Sequence, residues 1–331
     1  MIRITLLAEQ NCVLSGLAAS IEFFNLCSIF LPYLQENVRE SHFHTEIVTE
    51  NGKVVSSFGG IPIQPTRSIH DVLETDLILI PSFQPTVEPL RSMSGKILEW
   101  IRQHYQRRAK VAAISAGAFV LAETGLLNGK NATTNWLFLR EFKSRYPEVR
   151  LKPQQIITED SGLMCTASNN FTADLCAYFI KQLGFNELAA KFSKGMMLHP
   201  SWENQSPWAI FEVQKNHNDR NVLQVQGWME ENHADIGYID SVAERFSMSP
   251  RHFKRRFKRA TGDSPLTYLQ RLRVEAAKRR LESTQDTIDE ITYLVGYEDT
   301  NSFRRLFKKH TGLSPRQYRT RFSNTNDVNL I

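Results

Sequence analysis

A stretch in the C-terminal third of the chain occurs twice, with an offset of 50 residues. Phe253 and Phe257 recur as Phe303 and Phe307, and the segment that follows recurs in the same register (Thr261-Gly262, Ser264-Pro265 and Tyr268; Thr311-Gly312, Ser314-Pro315 and Tyr318). Each copy has an apolar stripe with helical spacing, basic residues between, a glycine stop and a Ser-Pro helix start. The duplication predicts two small helical units, each with a cationic helix.

Positive charge is concentrated in this duplicated block. From Asp240 to Phe322 there are 19 Lys and Arg against 10 Asp and Glu, a net charge of +9. The whole chain of 331 residues carries +5, so the remainder carries −4. A basic block on an acidic remainder indicates a polyanionic partner for that block, and the repeat favours double-stranded DNA over a merely solvated charged surface.

The first unit has the pattern of a helix-turn-helix. A short helix is predicted from about residue 239, and a turn follows it. Ser249 offers an N-cap hydroxyl to a second helix over residues 250–260, which Gly262 ends.

The second unit repeats this arrangement. A short helix near residues 291–295 is followed by a turn at 296–297 and a helix over about 300–310. Between the units, residues 265–282 form a long amphipathic helix.

Residues 221–322 resemble the DNA-binding domain of the AraC/XylS family of transcription regulators. The resemblance is carried by Ile291, Val295-Gly296-Tyr297, Phe303, Phe307-Lys308-Lys309, Gly312, Ser314-Pro315 and Tyr318, and in the linker helix by Arg273, Ala277 and Leu281. Thr292 stands where the family usually has alanine, a change that a short helix tolerates.

Carried over by position, this resemblance implies which residues meet DNA. The expected contacts are Arg251, Lys254, Arg255 and Arg259 in the first unit, and Thr300, Asn301, Arg304, Arg305 and Lys308 in the second. Arginine can pair two-fold with guanine and asparagine with adenine, whereas other cations hold phosphates. About half of the base-edge candidates are expected to contact bases, and these candidates are Arg251, Lys254, Arg255, Thr300, Asn301, Arg304 and Arg305. Two rigidly joined units can enter successive major grooves about 34 Å apart.

Residues 1–195 alternate between strand-like and helix-like segments. Strands are predicted near 2–7, 46–49, 53–55, 76–80 and 111–114, and helices near 16–27, 95–107 and 171–183. Such alternation predicts a flavodoxin-like α/β domain, a mostly parallel sheet with helices on both faces. The complete fold is then this α/β domain followed by an all-α domain with two helix-turn-helix units.

The segment Ile114-Ser115-Ala116-Gly117-Ala118 joins a buried strand to a helix through a turn of small residues. That is the pattern of a nucleophile elbow, which exposes a side chain at the carboxyl edge of a sheet. Together with Leu126-Leu127-Asn128-Gly129 and Ala132-Thr133-Thr134-Asn135-Trp136, the segment resembles the PfpI-like domain of the class I glutamine amidotransferase superfamily. The resemblance covers nearly the whole N-terminal half and is closest to the versions fused to AraC-type domains.

The resemblance puts Ser115 at the position of the superfamily's catalytic cysteine and Asn135 where a histidine would follow, and it keeps an acidic residue as Glu22. Serine needs an adjacent base, and asparagine does not accept a proton near neutral pH. We therefore predict no catalytic residues and no enzyme. These three residues are expected to line a degenerate pocket, with a small-molecule effector as one reading and a dimerisation platform as the other.

An enzyme is the alternative. One of His42, His44, His70 or His104 could approach Ser115 in the fold and supply the missing base. The protein would then be an amidohydrolase-like enzyme tethered to DNA. A third reading is an architectural protein that binds DNA without sequence preference.

No metal or cofactor is expected. The cysteines at 12, 27, 165 and 176 lack CxxC spacing, and His199, His217 and His233 lack ligand spacing. We find no signal-peptide pattern and no apolar stretch long enough to span a bilayer, so a cytoplasmic protein without a membrane partner is expected.

The predicted organisation is a PfpI-like domain over 1–195, a linker over 196–220, a DNA-binding domain over 221–322 and a tail over 323–331. The chain is expected to be a sequence-specific, homodimeric transcription regulator, with double-stranded DNA, a small-molecule effector and RNA polymerase as candidate partners. The sequence leaves open the target genes, the operator, the effector and whether transcription is raised or lowered.

Overall fold

The structure is a computed structural model that describes residues 1–34, 42–83, 93–196, 198, 211 and 213–323. The chain divides into two compact units, Met1–Gln205 and Ser206–Ile331. His199 and most of the predicted linker, together with tail residues 324–331, lie outside the described residues.

A seven-stranded sheet forms the centre of the N-terminal unit. Its strands are β1 (Ile2–Leu7), β2 (Phe43–Thr49), β5 (Arg67–Ser68), β6 (Leu77–Ile80), β7 (Lys110–Ile114), β10 (Ile157–Asp160) and β11 (Leu163–Thr166). The order is β10-β11-β7-β6-β1-β2-β5, and every neighbouring pair is parallel except the β10–β11 hairpin. The predicted mostly parallel sheet is confirmed.

Two small ribbons flank this sheet. They pair β3 (Val55–Ser56) with β4 (Pro62–Ile63) and β8 (Asn131–Ala132) with β9 (Arg150–Leu151). The strand predicted over 53–55 is wrong for Lys53 and Val54. The chain turns at Gly52, which has φ +67°, and the strand begins only at Val55.

The helices of this unit are α1 (Leu14–Leu34), α2 (Gly95–Gln106), α3 (Gly117–Glu123), α4 (Leu139–Arg145), α5 (Thr172–Gln182) and α6 (Asn186–Gly195). Helices α1, α5 and α6 pack together, and α2 packs with α3. All four residues of β6 are buried, although successive side chains of a strand point to opposite faces. The sheet is therefore covered on both faces.

The expectation that no apolar stretch is long enough to span a bilayer is wrong for helix α1. Residues Leu14–Pro32 are long and apolar enough to cross a bilayer by length and composition. In the fold this helix packs on β2 and α5, and it buries Leu17, Phe23, Phe24 and Leu31. These four side chains belong to the core of the α/β unit, whereas Ile29 and Phe30 of the same helix are exposed.

The C-terminal unit is helical. Its elements are α7 (Arg220–Asn232), α8 (Ile239–Arg245), α9 (Pro250–Thr261), α10 (Pro265–Ser283), α11 (Ile288–Leu294), α12 (Thr300–Thr311) and α13 (Pro315–Phe322). Helices α8 and α9 form the first helix-turn-helix, α11 and α12 form the second, and α10 joins them. The predicted all-α domain with two such units is confirmed.

Each helix-turn-helix has its own aromatic core. In the first, the Phe257 ring packs edge-on against Phe253 at 5.5 Å and Tyr268 at 5.1 Å between centroids. In the second, the equivalent rings are 5.7 and 5.4 Å apart, with Phe307 between Phe303 and Tyr318. Helix α10 contributes Leu269 and Leu272 to the first core and Val274, Ala277 and Leu281 to the second.

The predicted caps hold. Ser249 Oγ accepts from His252 N, and α9 ends at Gly262 with φ +82°, as α12 ends at Gly312 with φ +74°. Thr292 is fully buried, and its hydroxyl donates to Ile288 O at 2.8 Å, which explains how this helix accommodates a residue other than alanine.

The helical unit takes up the end of the predicted linker. Phe211 and Val213 pack on the first core. Asp219 accepts from Val222 N at the start of α7, and it also accepts from Arg256 Nε and Nη2 at 2.7 and 2.8 Å. This pairing lowers the pKa of Asp219 and attaches α7 to α9.

Candidate nucleic-acid interface and sheet-edge crevice

Helices α9 and α12 present matching exposed faces. The exposed residues of α9 include Arg251, Lys254, Arg255, Lys258 and Arg259, and those of α12 include Asn301, Arg304, Arg305, Lys308 and Lys309. Thr300, at the start of α12, is half-buried. Because these positions are three to four residues apart, they lie on the side of each helix opposite the buried phenylalanines.

Two residues of this face were not among the predicted contacts. Lys258 is exposed on α9 and is the counterpart of Lys308 at the repeat offset, and Lys309 is exposed on α12 and is the counterpart of Arg259. The repeat itself is the signal that identifies both.

Two of the predicted contact residues are held by carboxylates. Lys254 Nζ lies 2.7 Å from Asp240 Oδ1, and Arg304 Nη2 lies 3.8 Å from Asp289 Oδ1. Both carboxylates lie on the first helix of their own unit. Because all four side chains are about half exposed or more, each pair contributes little to the stability of the fold.

The start of α12 is built around Asp299. Its carboxylate accepts from Asn301 N and Ser302 N, and hydrogen bonds from Ser302 lower the pKa of this acid. Ser302 Oγ in turn accepts from Arg305 Nη2 at 3.3 Å. Asn301 and Arg305, one turn apart, are thereby presented on the exposed side of the first turns of the helix.

A cleft of about 710 Å³ adjoins α12 in the second unit. It is lined by Gln285, Ile288, Arg304, Ser314, Pro315, Arg316, Arg319, Thr320 and Ser323. Arg319 donates through Nη2 to Asp286 O, and its buried Nε has no hydrogen-bond partner. The first unit has Leu266 and Leu269 where the second has Arg316 and Arg319, so comparing the copies position by position would have revealed this basic cleft.

In the α/β unit the predicted elbow is present at the end of β7. Ser115 has φ +53°, its N–H donates to Thr166 O at 2.7 Å, and its carbonyl accepts from Thr134 Oγ1 at 2.9 Å. A Cβ on Gly117 would lie 2.5 Å from Pro81 O and 2.8 Å from Ile80 O, so the turn requires glycine there. The elbow does not expose its side chain as expected, because Ser115 is only 4% accessible.

Asn135 lies next to this elbow, since it follows Thr134 in the chain. It is half-buried, and its Oδ1 accepts from Leu137 N at 3.1 Å as the cap of a short 3₁₀ helix over Trp136–Phe138. The amide oxygen of Asn135 is therefore engaged by backbone.

Glu22 lies apart from this pair. Helix α1 approaches β7 at Gly16, where a Cβ would lie 3.2 Å from Ile114 Cδ1. Glu22 is six residues further on, which is about 9 Å along the helix and about 240° around it, and it is exposed. The fold brings Ser115 and Asn135 together but not Glu22.

The four histidines that could have rescued catalysis lie elsewhere. His42 and His44 are at β2, about 14 Å from β7 across three strand spacings. His70 is exposed in a 3₁₀ helix over Ile69–Asp71. His104 is buried against Trp100, and burial lowers its pKa.

The cysteines do not replace the missing nucleophile. All four are buried free thiols. Burial raises the pKa of Cys12 to about 11, that of Cys165 and Cys176 to about 12, and that of Cys27 further. Near neutral pH these sulfurs are thiols, and the thiolate is the nucleophilic form.

The carboxyl ends of β1, β6 and β7 lie at the point where the strand order changes direction, which is the expected place of a ligand crevice in an open α/β sheet, here called the sheet-edge crevice. Open α/β sheets bind ligands at such switch points. Near it, Asn169 Oδ1 is buried without a hydrogen-bond partner and faces Gly16 of α1.

Within the described ranges, no group of three His, Cys, Asp or Glu could hold a metal ion. His217 contacts Gln226, and His233 contacts the backbone of Glu230.

Two helix-turn-helix units with cationic second helices, attached to an α/β domain, define a DNA-binding regulator. Residues 242–321 match the family profile of a helix-turn-helix domain, and residues 21–178 match that of the DJ-1/PfpI family. The chain is an AraC-type transcriptional regulator with a DJ-1/PfpI-like domain.

Relatives match either most of this chain or about a third of it. HTH-type transcriptional regulator CdhR of Pseudomonas aeruginosa is 24% identical over 289 residues, 84% of each chain. HTH-type transcriptional activator RhaS of Salmonella schwarzengrund is 38% identical over 102 residues, which are 31% of this chain and 37% of RhaS.

Solved structures support the fold of the α/β unit. A candidate transcriptional regulator from Vibrio parahaemolyticus has a TM-score of 0.53 and 22% identity, over 60% of this chain and 99% of that one. DJ-1beta of Drosophila melanogaster has a TM-score of 0.50 and 14% identity, over 60% and 98%.

Proposed function

We propose that this regulator reads a specific operator by placing α9 and α12 in successive major grooves of one duplex. The observation that carries the proposal is the matching exposed, cationic face of the two helices. The first residues of each second helix meet base edges in this docking mode. The base-edge candidates are therefore Arg251, Lys254 and Arg255 on α9 and Thr300, Asn301, Arg304 and Arg305 on α12, and about half of them are expected to contact bases.

Phosphate contacts are assigned to the cations further along each helix and in the basic cleft. They are Lys258, Arg259, Lys308, Arg316 and Arg319. These side chains lie beyond the first turns or on neighbouring elements, where they follow the backbone of the duplex.

The test compares Arg305→Ala with Lys308→Ala. Genome-wide mapping of bound sites first supplies the operator. Arg305→Ala is expected to weaken operator binding by about 1–3 kcal/mol and to leave binding to random DNA nearly unchanged. Lys308→Ala is expected to weaken both. Equal losses for Arg305→Ala would make it a phosphate contact, and a wild-type protein without operator preference would favour the architectural reading.

We further propose that the α/β unit is not an enzyme. Three observations support this proposal. Ser115 is buried, the amide oxygen of Asn135 caps a short helix, and the four candidate histidines lie elsewhere. A broad hydrolase screen with Ser115→Ala as the control tests it. Turnover that disappears in the variant would establish the amidohydrolase-like alternative.

A small-molecule effector at the sheet-edge crevice is proposed as the input to the regulator. The support is the switch-point position and the unpartnered Asn169 Oδ1. A ligand that binds the folded state raises the melting temperature by mass action, so a metabolite library can be screened by thermal shift. Ligand responses that Asn169→Ala abolishes would support the crevice, and silence across a wide library would favour a dimerisation platform.

We propose that the active form is a cytoplasmic homodimer that acts with RNA polymerase at its promoters. Exposed apolar side chains on α1, with Ile29 at 58% and Phe30 at 49% accessibility, support contact with a second copy. Light scattering on the wild type and on Ile29→Asp tests the dimer, and a monomeric wild type at micromolar concentration would refute it.

A further inference from the structure

Arg273 on α10 holds the turn of the first unit that joins α7 to α8. The side chain is buried, with 7% accessibility. Its Nε donates to His233 O at 2.8 Å, and its Nη2 donates to Ile236 O at 2.6 Å. Because arginine donates from a rigid planar fork, the two carbonyls fix the guanidinium in position and orientation.

The same guanidinium also meets the turn of the second unit that joins α11 to α12. It lies 5.0 Å from the centre of the Tyr297 ring. Beside it, Gly296 has φ +88°, and a Cβ there would lie 2.3 Å from Ala234 O and 2.8 Å from Arg273 Nη2. The backbone of the second turn therefore approaches the backbone of the first as closely as only glycine allows.

The two units have separate aromatic cores, and α10 runs through both. A shared helix alone leaves the second unit free to rock about its axis. The turn-to-turn contact at Arg273 and Gly296 restrains that motion, because both turns are tied to one buried, fixed side chain. The second turn also leads into a DNA-facing helix, since Gly296 and Tyr297 come just before α12, and the first turn leads into α8, the first helix of its motif.

We infer that Arg273 is a positioning residue that sets the separation between α9 and α12, and through it the spacing of the two half-sites that the protein accepts. This inference rests on the proposed reading of DNA by both helices. One inserted base pair moves a half-site by about 3.4 Å and about 35° around the duplex. A rigid pair of units rejects such a shift, whereas a loosened pair tolerates it.

The experiment uses the full-length protein and the mapped operator. Duplexes carry the natural spacing, one or two base pairs added or removed between the half-sites, or one half-site alone. Arg273→Met removes the guanidinium donors but keeps a long apolar side chain. Arg279→Met, an exposed arginine on the same helix, is the matched control. Gly296→Ala attacks the same contact from the second unit.

Wild type and Arg279→Met are expected to lose at least about tenfold in affinity when the spacing changes by one base pair, a difference of 1.4 kcal/mol. Arg273→Met and Gly296→Ala are expected to bind all spacings within about threefold of one another, while their affinity for a single half-site stays within about twofold of wild type. An unchanged spacing profile would overturn the inference.

If Arg273→Met and Gly296→Ala lowered both the affinity for a single half-site and the melting temperature, the inference would also be overturned. That result is expected of a residue with a merely structural role. Failure of the proposed function would give a different result, because the wild-type protein itself would then not distinguish its operator from scrambled DNA.

Discussion

The ammonium of Lys254 on α9 lies 2.7 Å from the carboxylate of Asp240 on α8. The second unit has the equivalent pair, Arg304 and Asp289. In both units the first helix of the motif thus holds a cation of the second. The repeat has conserved an electrostatic contact as well as an apolar stripe, and the contact places negative charge beside the proposed DNA interface.

Removing this negative charge is expected to strengthen DNA binding. Asp240→Asn or Asp289→Asn frees the cation and takes a carboxylate away from the phosphates. Exposed pairs contribute about 0.2–1 kcal/mol, so a gain of up to about fivefold is expected on operator and random DNA alike. Fluorescence anisotropy measures it, with Glu244→Gln on α8 as an exposed control of equal charge change. Weaker operator binding would mean instead that Asp240 orients Lys254 for a base contact.

The basic cleft of the second unit makes a prediction about salt. Each phosphate contact contributes about 0.9 to the slope of log affinity against log salt. Arg316→Gln should reduce that slope by about 0.9 without changing the preference for operator over random DNA. Leu266→Arg, which introduces the cation at the equivalent exposed position of the first unit, should increase the slope by a similar amount. Arg140→Gln in the α/β unit is the control, and a slope equal to wild type in Arg316→Gln would remove this residue from the interface.

His310 makes the stability of the helical unit depend on pH. Burial, with Arg271, Lys309 and Lys278 nearby, lowers its pKa to about 4, whereas an unfolded histidine titrates near 6.5. The folded state therefore binds this proton less well than the unfolded state. The stabilisation is complete above about pH 6.5 and is lost as the pH falls toward 4, with a slope of at most about 1.4 kcal/mol per pH unit.

Urea unfolding at pH 7, 6 and 5 measures this contribution. His310→Ala installs the residue found at the equivalent position of the first unit, Ala260, and should flatten the decline between pH 7 and 5. A variant whose stability declines as steeply as that of wild type would show that His310 is not responsible.

Alanine substitutions at two glycines are expected to change the free energy of unfolding in opposite directions. Gly117→Ala forces a Cβ against the carbonyls of Pro81 and Ile80, and overpacking of this kind costs about 1–3 kcal/mol. Gly227, inside α7, has open space around its Cα, so Gly227→Ala should stabilise the helix by up to about 1 kcal/mol. Thermal unfolding of the full chain measures both. A neutral Gly117→Ala would mean that the elbow relaxes.

Most of the secondary structure could be predicted from local patterns. The phenylalanines of α9 and α12 are four residues apart, the predicted serine cap begins α9, and the predicted glycine stops end both helices. The apolar strand Leu77–Ile80 and the small-residue turn after Ile114 likewise appear in place. Helix periodicity, capping and positive φ are properties of neighbouring residues, so they can be predicted from the sequence alone.

Other features depend on which distant residues meet. The exposure of Glu22 follows from how α1 lies on the sheet, and the burial of Ser115 follows from packing around β7. The basic cleft combines residues of three helices, and Arg273 joins two turns that are separated by about 60 positions in the chain. The sequence by itself determined the two repeated units, their cationic faces and the α/β class. Only the tertiary structure decided the contacts between elements, because these depend on the packing of side chains far apart in the chain.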